Sequence, residues 1–178
     1  MKTLDYTVAL AGILIKQLLK AEQQCLTYLE VMAHKTQTSA LEANILGLIS
    51  RVQKKIKYLE QLRAELKLSA EGATTAGVNG IVSEGFDLID KQPNPVLRDA
   101  LVVQTIILTS HYKLGSYQTL QLHIEASGLE YESYIAQSLV SLEESTIQRL
   151  NKLLQNHVNK QELYWPPVAL SPEAKTHN

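Results

Sequence analysis

The sequence predicts an all-α protein, a four-helix bundle with an additional short helix in the crossover. Three observations predict it. Apolar residues recur at alternating threes and fours over stretches of roughly thirty residues, the period of one buried helix face. Leucine, isoleucine, valine and alanine dominate while aromatics are 6% of the 178 residues, which suits helices better than sheets. The breaks between the periodic stretches are short, so consecutive helices pack as neighbours. The chain is long enough for one domain with a real core.

The first helix is expected over about residues 3 to 32, where Val8, Ala11, Ile15, Leu18, Glu22, Cys25, Leu29 and Met32 form one row. Its apolar start, Val8 to Ile15, is short, follows Asp5 and is interrupted by Lys16, Lys20 and Glu22. A signal peptide or membrane span is therefore not expected. A polar stretch from His34 to Ser39 ends the helix, and Ser39 with Glu42 predicts a capping box opening the second. That helix shows Ile45, Ile49, Val52, Ile56, Leu59, Leu62 and Leu66 in a row.

Residues 70–76, with Gly72 among them, form a break. A shorter helix then runs from Val78 to Ile89 with Val78, Ile81, Val82 and Ile89 on one face. Asn94 before Pro95 predicts an N-cap followed by a proline at the first helical position. The helix so started runs to about Ala126, and Gly128 supplies a left-handed stop. A last helix is expected from about 131 to 158, with Ala136, Val140, Glu143, Ile147, Leu150 and Leu154 in its seam. Residues 1–160 thus make the bundle, and 161–178, with Pro166, Pro167 and Pro172, an irregular tail. Helices of about 28 residues span about 42 Å, which matches the tall ferritin-like bundles.

The net charge of −1 sets up no global field toward nucleic acid or an anionic membrane. The basic run from Arg51 to Lys57 lacks interleaved aromatics and reads as a solvated helix face, partly used for ion pairs. Cys25 alone makes no internal disulfide, which points to a reducing cytoplasm. Tyr112, Tyr117, Tyr131 and Tyr134 gather toward the last turn, as packing or a dimer surface.

The informative positions are polar ones inside apolar seams. Glu22 and Glu143 sit where a bundle wants leucine, and a buried carboxylate needs a metal, a cation or a proton. On the fourth helix one row reads Ala100, Val103, Ile107, Ser110, Leu114 and Tyr117. The adjoining row reads Leu101, Gln104, Leu108, His111, Gly115, Gln118 and Leu122. Ser110 and His111 are thus expected at neighbouring inward positions. Acids converging with a histidine at mid-bundle suit iron or manganese. Beside this stands a plainer reading, in which each glutamate lies at the edge of the core with its head in water and His111 is a satisfied buried histidine. Glu84, three after Ile81 and four before Leu88, is a further candidate.

Several stretches resemble the YciE/YciF-like bacterial stress proteins. Ala21-Glu22-Gln23-Gln24 resembles that family's "AEKQ", and His111 to Leu120 its "EHYEIAAYGTL". Gly80 to Glu84 resembles "GLIKE", Arg98-Asp99-Ala100 "RDA", and Leu142-Glu143-Glu144 "LEE", all in order between about Leu10 and Leu154. The resemblance implies a ferritin-like fold and, as metal-ligand candidates, Glu22, Glu84, His111, Glu143 and Glu144. This chain departs from the pattern at the centre. The acids flanking "HY" are Ser110 and Lys113, and the second-helix "HLEET" falls on Leu48 to Val52. Arg51, Lys54 and Lys55 stand near that level, whereas a pair of metals in such bundles takes about six side chains from four helices.

The expectation is a non-catalytic, stress-associated, cytoplasmic bundle protein that forms a homodimer or acts through a partner. Its metal centre has degenerated into a cluster in which Arg51 or Lys113 neutralises a glutamate, with Ser110 and His111 as hydrogen-bonding members. No cofactor, nucleic acid or membrane is expected. The alternatives are an iron or manganese site built asymmetrically from Glu22, Glu143 and His111, and a protein-interaction bundle that uses its tail.

Overall fold

A computed structural model of the chain describes residues 2–69 and 75–161. Five helices follow one another: α1 (Lys2–Lys35), α2 (Ser39–Glu65), α3 (Ala76–Lys91), α4 (Pro95–Ala126) and α5 (Glu130–Gln161). No described residue is in a strand. The expected irregular tail, and most of the expected break at 70–76, lie outside the described residues. None of the helices is long and apolar enough to cross a membrane.

Local chemistry explains most of the boundaries. Asn94 caps α4, its side-chain oxygen accepting from Val96 N at 2.9 Å and Leu97 N at 3.3 Å, with Pro95 next in line. Gly128 ends α4 at φ 69°, where a side chain would be strained. The capping box at Ser39 does not form. The N-cap of α2 is Thr38, which makes no side-chain cap. Its hydroxyl instead donates to Asp99 Oδ2 at 3.3 Å, and Gln37 N donates to Asp99 Oδ1 at 2.8 Å. The buried Asp99 of α4 thereby pins the α1–α2 turn, so a tertiary contact replaces the local one.

α1 pairs with α2 and α4 with α5, and the pairs join through α1 against α4 and α2 against α5. The short α3 lies along α4, approaching so closely at Gly85 that a Cβ there would collide with Thr105. Two apolar clusters fill the bundle. One contains Cys25, Leu29, Val52, Ile106, Ile107 and Leu150. The other contains Leu18, Leu59, Tyr117, Leu120 and Val140.

Every long helix crosses from one cluster to the other through a buried polar residue. On α1 it is Glu22, between Leu18 and Cys25. On α2 it is Lys55, between Val52 and Leu59. On α4 it is Ser110 with Lys113, between Ile107 and Tyr117, and on α5 Glu143, between Val140 and Leu150. The fold therefore gathers four charged side chains at mid-bundle, with apolar packing above and below.

Candidate functional site

Glu22 and Glu143 both have no solvent exposure, and two lysines meet them there. From α2, Lys55 Nζ donates to Glu22 Oε1 at 2.7 Å and also to Glu143 Oε2. From α4, Lys113 Nζ donates to Glu22 Oε1 at 3.0 Å and Oε2 at 3.1 Å, and lies 3.5 Å from Glu143 Oε1. The Tyr117 hydroxyl, one helical turn on, donates to Glu22 Oε1 at 2.7 Å. Lys55 Nζ also sits 5.8 Å from the centre of the Tyr117 ring, within cation–π range. Two carboxylates and two ammoniums balance, so the cluster carries no net charge.

The electrostatics follow from this arrangement. Burial pushes the Glu22 carboxyl up, but the Lys113 and Lys55 charges, with hydrogen bonds from Lys55 and Tyr117, outweigh it and bring the pKa down to about 2. Burial pulls the Lys113 ammonium down, yet the Glu143 and Glu22 carboxylates, the latter hydrogen-bonded to it, raise it well above the ordinary lysine value. Burial and the neighbouring carboxylates keep the Tyr117 phenol protonated far into alkali. Cys25 is likewise pushed up, first by burial, so it rests as a thiol rather than a nucleophilic thiolate.

Of the residues singled out from sequence, the structure brings together Glu22, Glu143 and Lys113. His111, Glu84 and Glu144 are exposed and do not join them. The inward placement of His111 is corrected: its row, Gln104, Leu108, His111, Gly115, Gln118 and Leu122, faces solvent. The second buried row of α4 is instead Val102, Ile106, Thr109, Lys113 and Tyr117. Glu84 is one step from the buried Gly85 and Glu144 one step from Glu143, and one step rotates a helical side chain by about 100°. Among the described residues Arg51 pairs with no glutamate. Its Nε donates to Thr146 Oγ1 at 3.1 Å and one of its terminal nitrogens to Ser145 Oγ. Tyr117 is wholly buried, while Tyr112, Tyr131 and Tyr134 are exposed.

Lys55 and Tyr117 are the members of the cluster that the sequence reading did not place there. Lys55 belongs to the basic run expected on a solvated face partly used for ion pairs, but it lies three after Val52 and four before Leu59, a seam spacing, and is buried.

The donor set does not fit a bound metal pair. Glu22 accepts three hydrogen-bond donors, and a lysine ammonium offers three N–H groups and no lone pair. Among the described residues no three His, Cys, Asp or Glu side chains form a metal-holding group.

Comparison with known proteins places the chain. Residues 14–163 match the family described as a domain of unknown function, DUF892. Protein YciF of Escherichia coli K12 is 23% identical over 148 residues, covering 83% of this chain and 89% of that protein. The crystal structure of the E. coli stress protein YciF superimposes with a TM-score of 0.81, at 23% identity over 90% of this chain and 99% of that one. YcfI from Rhodopseudomonas palustris gives a TM-score of 0.75 at 21% identity, over 80% of this chain and 90% of its own. With the bundle architecture and the matched span in agreement, the chain belongs to the DUF892 family, as a YciE/YciF-like protein with a ferritin-like helical fold.

Proposed function

We propose that this protein is a non-catalytic, stress-associated member of its family, in which two lysines have taken over the role of metal ions at the bundle centre. The observation that carries this reading is the pair of buried ammoniums, Lys55 and Lys113, hydrogen-bonded to Glu22 with Lys55 reaching Glu143 as well. A tethered ammonium neutralises a buried carboxylate as a metal does, but offers no open coordination position and no redox chemistry. The stress association is carried over from the relative described as a stress protein. A cytoplasmic homodimer is the working assembly. The exposed His111 removes the nitrogen donor on which an asymmetric Glu22, Glu143 and His111 metal site depends.

The test is elemental analysis of protein purified without added metal, followed by anaerobic titration with ferrous iron. The expected result is less than stoichiometric iron and manganese and no saturable binding. Stoichiometric metal, or oxygen consumption on iron addition that disappears in Glu22→Ala, overturns the proposal.

A further inference from the structure

Beside the charge cluster lies a cavity of about 30 Å³. Its walls are mostly apolar, formed in part by Leu29, Met32 and Ile106, and its polar lining includes Arg51 and Ser110. Neither of these two is fully satisfied. Arg51 is half-buried, its Nε and one terminal nitrogen bond to Thr146 and Ser145, and the other terminal nitrogen has no partner among the described residues. None of the described ion pairs involves Arg51. Ser110 is 3% exposed, and its hydroxyl likewise has no partner among the described residues.

The charges point the same way. Lys55 and Lys113 line the cavity too, but they are balanced by Glu22 and Glu143. Arg51 is therefore a half-buried cation with no carboxylate partner among the described residues, at the wall of a largely apolar hole where an anion can meet it.

We propose that this cavity binds a small carboxylate such as formate or acetate, its oxygens held by the Arg51 guanidinium and the Ser110 hydroxyl. A guanidinium presents parallel N–H groups that match a carboxylate in fork geometry. The space is on the scale of a few heavy atoms, which restricts the ligand to the smallest carboxylates. The apolar wall takes the hydrogen or methyl end. Phosphate esters and nucleotides are too large, and cations are repelled. The charge count rests on the lysine-filled centre proposed above.

The experiment uses the full chain, freed of carboxylate buffers and checked for metal by elemental analysis in the same samples. Thermal unfolding is followed at constant ionic strength while formate or acetate is titrated, with acetamide as the neutral isostere and chloride as a spherical anion. The expected result is a saturable rise in Tm with the carboxylates and none with acetamide or chloride. Arg51→Gln and Ser110→Ala should each weaken the binding about tenfold or more, the scale of a hydrogen bond to a charged group, without loss of helicity. Should Arg51→Gln fail to fold, Arg51→Lys keeps the charge, loses the fork and should still weaken acetate binding. The absence of a saturable rise, an equal rise with acetamide or chloride, or unchanged affinity in both Ser110→Ala and a folded Arg51 variant overturns the proposal. Metal found in the samples counts against the lysine-filled centre, whereas the carboxylate titration reads the cavity separately.

Discussion

Lys113 Nζ lies within 3.1 Å of both oxygens of Glu22 and 3.5 Å from Glu143 Oε1, so one ammonium on α4 ties together the acids of α1 and α5. Lys55 makes the corresponding tie from α2. The four long helices are thus joined at mid-height by charges rather than by leucines. Such a cluster specifies register, because sliding any helix by one turn would bury an uncompensated charge, though it need not add net stability over an apolar core.

That distinction yields a prediction about substitutions. Lys113→Met strands two carboxylates with only Lys55 between them and should lower unfolding free energy by about 3–5 kcal/mol. Replacing all four charges together, as Glu22→Leu, Glu143→Leu, Lys55→Leu and Lys113→Met, should restore stability to near or above the parent, by up to about 4 kcal/mol. Urea unfolding at neutral pH reads both. A quadruple variant no more stable than Lys113→Met would mean that the cluster contributes to stability outright.

Acid should dismantle the cluster in a defined window. The folded-state pKa of Glu22 is about 2 against an ordinary 4.5. Its contribution is therefore complete above pH 4.5 and is lost progressively as pH falls toward 2. The loss amounts to about 3 kcal/mol on full protonation. Glu22→Gln, already less stable at pH 7, should show a flatter stability profile between those values. On the alkaline side Lys113 is raised, so its contribution is present below the ordinary lysine pKa and persists until the pH passes well beyond it. Chemical denaturation at a series of pH values checks both limbs, and parallel acid limbs for parent and Glu22→Gln would refute the assignment.

How much of this was written in the sequence depends on the helix. On α1 and α5 the rows stepping by threes and fours coincide with the buried seams, so Glu22 and Glu143 within them are read directly from spacing; every predicted seam residue of α1 from Ala11 to Met32 is buried. On α4 leucine and isoleucine surround the helix, which hides which row turns inward. Leu108 and Leu122 are half or more exposed, while Thr109 and Lys113 are buried. His111 shares its row with those exposed leucines, so apolar spacing alone places it inward. On α2 the expected row stepped through Ile49 and Ile56, both half-buried, and the true seam takes Leu48 and Lys55 beside them. Hydrophobicity alone prefers isoleucine to lysine at a core position. Only the partner carboxylates on α1 and α5 reverse that preference, and partners on other helices are not visible in a local pattern. The signal that was available is charge pairing: two acids in two seams require two cations somewhere, and Lys113 already stood where the related family has an acid.

If the ammoniums fill the role of metal ions, exchanging them for carboxylates should create a demand for metal. Lys55→Glu with Lys113→Glu would place four acids at mid-bundle with no internal cation among Glu22, Glu143 and Tyr117. Without metal the variant should be strongly destabilised by mutual repulsion and desolvation. Oxygen-only donors favour hard divalent ions, so manganese or magnesium should rescue it in preference to zinc or copper. At a metal concentration about one hundred times Kd the gain is about 2.7 kcal/mol, or a Tm rise of roughly 5–10 °C for a chain of this size. The unsubstituted protein should show no rise, since Lys55 and Lys113 already occupy the carboxylate oxygens. Thermal unfolding with and without manganese measures the difference. Equal rises in both proteins would mean that the metal binds elsewhere, whereas no rescue of a folded double variant would mean that the geometry around Glu22 and Glu143 cannot close on an ion.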